Sequence, residues 1–99
     1  MSVNIFVGNL PYDIDDYKLK QIFEAYGEVN AAYMVRTRET GKSKGFGYAE
    51  MENWDEAQDA ITALHGKELY GQALYVNEAD ARELGLMGEE GDNNEGVSL

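Results

Sequence analysis

An α+β sandwich, two helices packed on one face of a four-stranded antiparallel sheet, is the fold class this sequence predicts. Three observations point to it. Four segments alternate apolar and polar residues with the period of two that sends side chains to opposite faces of a sheet. Two others carry apolar residues at helical spacing, giving each a single stripe to bury. The segments follow one another as βαββαβ, an order that leaves one sheet face without helices. At 99 residues, the chain is expected to hold one domain.

Residues 3–8 read as the first strand, with Val3, Ile5 and Val7 facing the core. Asn9-Leu10-Pro11-Tyr12 is a turn, because Pro11 lacks a donor and breaks the strand. Asp15 or Asp16 caps the first helix, whose stripe is Leu19, Ile22, Phe23 and Tyr26, with Gly27 as its stop. The second strand spans 29–36, with Ala32 and Met34 inward and Tyr33 and Val35 outward. Residues 37–43 form a polar loop around Gly41, and the third strand covers 45–52. Asn53 and Glu56 form a capping box before the second helix, whose stripe is Ala57, Ala60, Ile61 and Leu64, with Gly66 as stop. Residues 68–71 suit a short hairpin arm, and 73–78 a fourth strand with Leu74 and Val76 inward and Tyr75 and Asn77 outward. The whole is a ferredoxin-like βαββαβ sandwich over residues 1–82. Residues 83–99 are rich in Gly, Glu and Asn and are expected to be a disordered acidic tail.

Within this frame, Lys44-Gly45-Phe46-Gly47-Tyr48-Ala49-Glu50-Met51 stands out. Gly47, Ala49 and Met51 make a small apolar face suited to lie under helices. Phe46 and Tyr48 then fall on the opposite, open face, beside the cation of Lys44. Ile5-Phe6-Val7-Gly8-Asn9-Leu10 repeats the logic, with Phe6 outward. Aromatic rings next to a cation form a stacking platform for unpaired bases.

These two stretches resemble the paired signatures of the RNA recognition motif family. Lys44 to Tyr48 fit the longer signature, while Ala49 and Met51 depart from it on the buried face. The resemblance covers residues 2–80 and implies that the signature strands are central neighbours, in the order 4-1-3-2. It also implies that Phe6 and Tyr48 stack on successive bases, Phe46 packs between riboses and Lys44 meets a phosphate. Asn4, Tyr33, Arg36, Arg38, Lys42, Tyr75 and Asn77 complete the expected RNA-binding set. Asn9 reads as a turn residue instead. Glu50 on the open face, with Gln72 and Glu78 where family members often carry cations, should weaken phosphate binding. The chain is further similar to small single-motif bacterial RNA-binding proteins.

The net charge of −11 argues against nucleic acid until its distribution is considered. Four of the eight basic residues, Arg36, Arg38, Lys42 and Lys44, fall within nine positions. Residues 80–99 hold six acids against one base, so −5 of the total is carried there. That tail reads first as a solubilising extension, with competition against RNA for the 36–44 cluster as the alternative. Cysteine is absent, which excludes disulfides and thiolate metal sites, and no apolar run is long enough for a membrane span. A cytoplasmic location is the default expectation.

Enzyme readings fail in turn. Gly41-Lys42-Ser43 lacks the first glycine of a phosphate loop, where Arg36 stands. Asp13, Asp15 and Glu24 mimic a calcium loop, but Lys18 takes its glycine position. His65 is the single histidine and sits at a helix end. No cofactor, metal or catalytic residue is therefore expected. The expected partner is single-stranded RNA, with single-stranded DNA as the variant and no membrane. The rival reading is a protein-interaction module of the same fold, using the helix face or an occluded sheet, which Trp54, the acidic helices and the net charge of −11 favour.

Overall fold

The computed structural model describes residues 2–79. The expected tail, and the short helix that Leu84, Leu86 and Met87 could start, lie outside them. The elements are β1 (Val3–Gly8), α1 (Asp16–Glu24), β2 (Val29–Arg36), β3 (Ser43–Met51), α2 (Trp54–Leu64), a small hairpin of β4 (Glu68–Leu69) and β5 (Gln72–Ala73), and β6 (Tyr75–Glu78). The main sheet runs β2-β3-β1-β6, with every pairing antiparallel. This is the order implied for the signature strands: β1 and β3 are the central pair, and β6 is the fourth strand.

Alternation sets which face is buried. Val3, Ile5 and Val7 of β1, Met34 of β2, Ala49 and Met51 of β3, and Val76 of β6 meet Leu19 and Phe23 of α1 and Ala57, Ala60 and Leu64 of α2 in one core. Phe23, Ile5, Leu10 and Leu19 are the largest of the fully enclosed side chains. Gly47 lets this layer close. A Cβ there would run into the Tyr33 carbonyl, 3.1 Å from Met34 Cα and 3.1 Å from a Leu19 methyl. The glycine therefore permits β2, β3 and α1 to meet at one point.

Two helix ends differ from their sequence reading. Asp15 caps α1 by accepting from Lys18 N at 2.8 Å. Asp16 is thus released for a second task, accepting from the Met34 N–H on the outer strand β2 at 2.7 Å. Asn53 caps α2 by accepting from Glu56 N at 3.0 Å. The reciprocal half of the capping box is not made, because the Glu56 carboxylate turns to the Glu28 N–H. Gly27 is explained by that turn. α1 has already ended at Glu24, and Gly27 is the place where the Glu56 side chain passes against the backbone. At the opposite side of the sheet, His65 Nδ1 accepts from Val76 N at 3.1 Å, which puts the proton of the neutral ring on Nε2.

The hairpin arm extends to Ala73, two residues past Gly71. Tyr70 and Gly71 both have positive φ, the requirement of a type I′ turn. The arm is tied to the end of β1 by Asn9, whose φ of 60° is left-handed. Asn9 Nδ2 donates to the Ala73 carbonyl at 2.7 Å, and Gln72 Nε2 donates to the Asn9 carbonyl at 3.1 Å. Asn9→Ala should lower unfolding stability by about 1–2 kcal/mol, through the lost bond and the strained backbone. Asn9→Gly, which keeps the φ, should cost less, and urea denaturation of the two variants separates the contributions.

Candidate nucleic-acid interface

The register of the central strands assembles the aromatic face. Tyr48 stands opposite Phe6 on one side and Tyr33 on the other, while Phe6 also faces Asn77. One row thus runs Tyr33, Tyr48, Phe6, Asn77 across all four strands, on the side away from both helices. Cross-strand neighbours on one face lie close enough for rings to touch. Phe6 meets Tyr48 edge-on with centroids 5.6 Å apart, and Tyr33 meets Tyr48 at 5.8 Å. Phe46, one step along β3, lies 5.6 Å from Phe6 at a 35° tilt. Tyr75, opposite Gly8, approaches Phe6 at 6.0 Å and leans on the His65 ring at 5.2 Å. Gly8 leaves room for this, since a Cβ there would touch the Phe6 ring at 2.9 Å.

The rings differ in exposure. Tyr75 and Tyr33 are open, and Phe6 and Phe46 are half-buried. Tyr48 is on the expected face but is 3% exposed, hemmed between the rings of Phe6 and Tyr33. Exposure of Tyr48 is the one part of the aromatic expectation that does not hold. Alternation told which way its ring points; the packing of two cross-strand rings against it depends on register.

Cations gather at one end of this face. Lys44 is exposed and lines a depression together with Phe6, Phe46, Gln72 and Tyr75. Arg36 and Lys42 line a neighbouring cleft that Lys44 shares. Arg38 is exposed on the same loop but lines neither. Arg36 is held by Asp16 at 3.8 Å and by the Gly41 carbonyl at 3.5 Å, so its charge is partly compensated. Asn4 of β1 stands directly opposite Glu50 of β3, which brings one negative charge to the platform. Asn77 is exposed, though its Oδ1 accepts from Glu78 N. Gln72 is committed to Asn9 as described. Tyr12, absent from the expected set, is 77% exposed and lines both depressions. The available signal was an aromatic placed directly after the strand-breaking Pro11, on the loop facing the basic run. Among the described residues, no group of three His, Cys, Asp or Glu could hold a metal ion, and no helix is long and apolar enough to cross a membrane.

Comparison with known proteins gives this arrangement a family. The RNA recognition motif model matches residues 5–75. The chain belongs to the RNA recognition motif family. It is 47% identical over 81 residues to the chloroplastic 28 kDa ribonucleoprotein of Spinacia oleracea, a match covering 82% of this chain and 35% of that protein. The chain therefore spans about a third of the length of that relative. Among solved structures, RNA-binding protein PG1 superposes with a TM-score of 0.76 at 43% identity, covering 78% of this chain and 93% of that one. A Sxl-lethal protein/RNA complex gives 0.73 at 35% identity, over 78% and 47% of the two chains. The fold and the recognition-motif signatures of Lys44–Tyr48 and Ile5–Leu10 thus stand. The cytoplasmic expectation does not: besides the chloroplastic protein of Spinacia oleracea, the chain is 47% identical to the chloroplastic RNA-binding protein CP31B and 45% identical to the mitochondrial glycine-rich RNA-binding protein 4, both of Arabidopsis thaliana, which points to an organelle. They are plant proteins, where the sequence reading pointed to bacterial ones.

Proposed function

We propose that this recognition motif binds single-stranded RNA across the sheet face opposite its helices, as a binder without turnover. The observation that carries the reading is the convergence of Phe6, Phe46, Tyr33 and Tyr75 on that face with Lys44 at its end. Phe6 and Phe46 present adjacent rings to a base and its ribose, and Tyr33 and Tyr75 offer flanking faces. Tyr48 braces the rings on either side of it. Asn4 and Asn77 supply hydrogen-bonding groups for base edges, which sequence-tolerant stacking alone lacks. Each stacked base is worth about 1–3 kcal/mol, so two stacks and a few phosphate contacts give roughly micromolar affinity. Arg36, Arg38, Lys42 and Lys44 provide the phosphate contacts, against an acidic background that limits them. The relatives' names and the protein/RNA complex among its structural neighbours support the same reading.

Trp54, 56% exposed at the start of α2, favours a second reading, in which the helix side holds a protein partner. One titration separates them. Mixed-sequence single-stranded RNA, and DNA of the same sequence, are added at low salt to isotope-labelled protein and followed by NMR. Shifts at Phe6, Phe46 and their strand neighbours, stronger with RNA, are expected. Shifts confined to the helices, or none, would replace the first reading by the second.

A further inference from the structure

His65 is the single histidine of the chain, and it stands where α2 meets β6. It is the C-cap of α2, its own N–H donating to the Ile61 carbonyl at 3.0 Å. Its side chain reaches the last strand in two ways. Nδ1 accepts from Val76 N at 3.1 Å, and the ring meets the Tyr75 ring edge-on at 5.2 Å. Tyr75 in turn meets Phe6 at 6.0 Å, so imidazole, tyrosine and platform form one run of contacts. β6 has four residues and pairs in the sheet with β1 on one side only. On its other side, His65 takes the Val76 N–H. Separate bonds, Gly66 N to Leu74 O at 2.8 Å and Leu74 N to Lys67 O at 2.9 Å, anchor the approach to the strand. Loss of the His65 bond would therefore loosen Tyr75 and Val76 while the fold stays closed.

That bond requires a neutral ring. A protonated imidazole carries N–H donors at both nitrogens, and its Nδ1–H would face the Val76 N–H. Imidazole is also the side chain that ordinarily changes charge between about pH 5 and 8. α2 offers the cation another place. It has no basic residue in its last turn, so the carbonyls at its C-terminus are an uncompensated negative dipole end. The pocket beside the ring is otherwise lined by Ile61, Thr62, Tyr75, Val76 and Asn77. Among the described residues, no charged side chain of the elements packed there lines it: not Asp55, Glu56 or Asp59 of α2, Lys67 of the following loop, or Glu78 of β6. The one other titratable group lining it is the phenol of Tyr75, of a type that ionises far above neutrality. We infer that His65 is a positioning residue for RNA binding: its neutral ring holds Tyr75 against the platform, and protonation releases Tyr75 and weakens the complex. The inference rests on the RNA-binding reading and adds a pH dependence that stacking alone lacks. The sign is diagnostic, because a cation added beside the platform would by charge alone tighten the hold on RNA phosphates as pH falls.

The test uses the full chain and short oligouridine with a rhodamine label, since neither uracil nor that dye titrates near neutrality. Affinity is read by anisotropy at about 150 mM salt, where exposed charges are screened beyond about 8 Å. Between about pH 7.5 and 5.5, wild-type affinity should fall about three- to tenfold, the contribution of one net hydrogen bond. His65→Asn, whose Oδ1 accepts but does not titrate, should keep the affinity of the higher pH and lose the fall. His65→Ala should bind at the wild type's acid level at both pH values, with circular dichroism as the fold control. In RNA-free protein, NMR signals of the Val76 amide and the Tyr75 ring should move together with those of the His65 ring over the same range. Affinity that rises or stays level as pH falls, a fall that persists in His65→Asn, or Val76 and Tyr75 signals that ignore the His65 titration would overturn the inference and leave the sheet reading in place. No binding of oligouridine or mixed-sequence RNA by the wild type at any pH would remove both.

Discussion

Phe6→Ala combined with Phe46→Ala should weaken RNA binding by about thirtyfold or more while the domain remains folded. The two rings lie 5.6 Å apart on the face away from the core, and both are half-buried. Truncating each removes about 1–3 kcal/mol of stacking, and a micromolar complex has roughly 8 kcal/mol in all. A combined loss of about 2–6 kcal/mol takes it to a Kd between tens of micromolar and tens of millimolar. Phe6 and Phe46 are the better pair for this experiment than any that includes Tyr48. At 3% exposure, Tyr48 supports its neighbours, and its removal would mix binding loss with a packing defect. Anisotropy titrations with far-ultraviolet circular dichroism as the fold control give the measurement. A folded double variant that keeps wild-type affinity would refute the platform.

Gly47→Val should destabilise the domain by about 3 kcal/mol or more. The added Cβ meets the Tyr33 carbonyl and Met34 Cα on the neighbouring strand, atoms that cannot move aside as a flexible side chain would. The Leu19 methyl closes the other direction at 3.1 Å. The total stability of a domain this size is only about 5–10 kcal/mol, so the variant should melt at a markedly lower temperature. Thermal denaturation checks it, and an unchanged midpoint would mean that β2 and β3 can separate without cost. Because Tyr33 and Tyr48 face each other beside this contact, the variant should also disturb the platform.

How much of this was legible in the sequence depends on how local each cause is. Period-two alternation placed Phe6, Phe46 and Tyr48 on one face and Ile5, Val7 and Ala49 on the other, because facing follows from residue parity alone. Helical spacing gave the stripes of both helices for the same reason. The enclosure of Tyr48 was not legible, since it needs Phe6 and Tyr33 brought alongside by register. The β2 pairing also shifts between Val29 and Ala31 and between Met34 and Arg36, and such irregularities leave no mark in a binary pattern. Glu56 is a similar case. Its spacing from Asn53 satisfies a capping box, yet a backbone N–H twenty-eight residues away in sequence takes the carboxylate. Tyr12 was missed because its importance lies in neighbours from another loop.

The two outermost strands carry a consequence of their own. β2 and β6 end the main sheet, and each has a backbone donor taken by a side chain from the helical layer, Asp16 on Met34 and His65 on Val76. An unsatisfied border invites a foreign strand to zip on, which is how sheets polymerise or capture extended peptides. Occupying those donors discourages such growth from either flank. What the domain presents most openly is then its broad surface of rings, and contact with other chains is favoured there or on the helices.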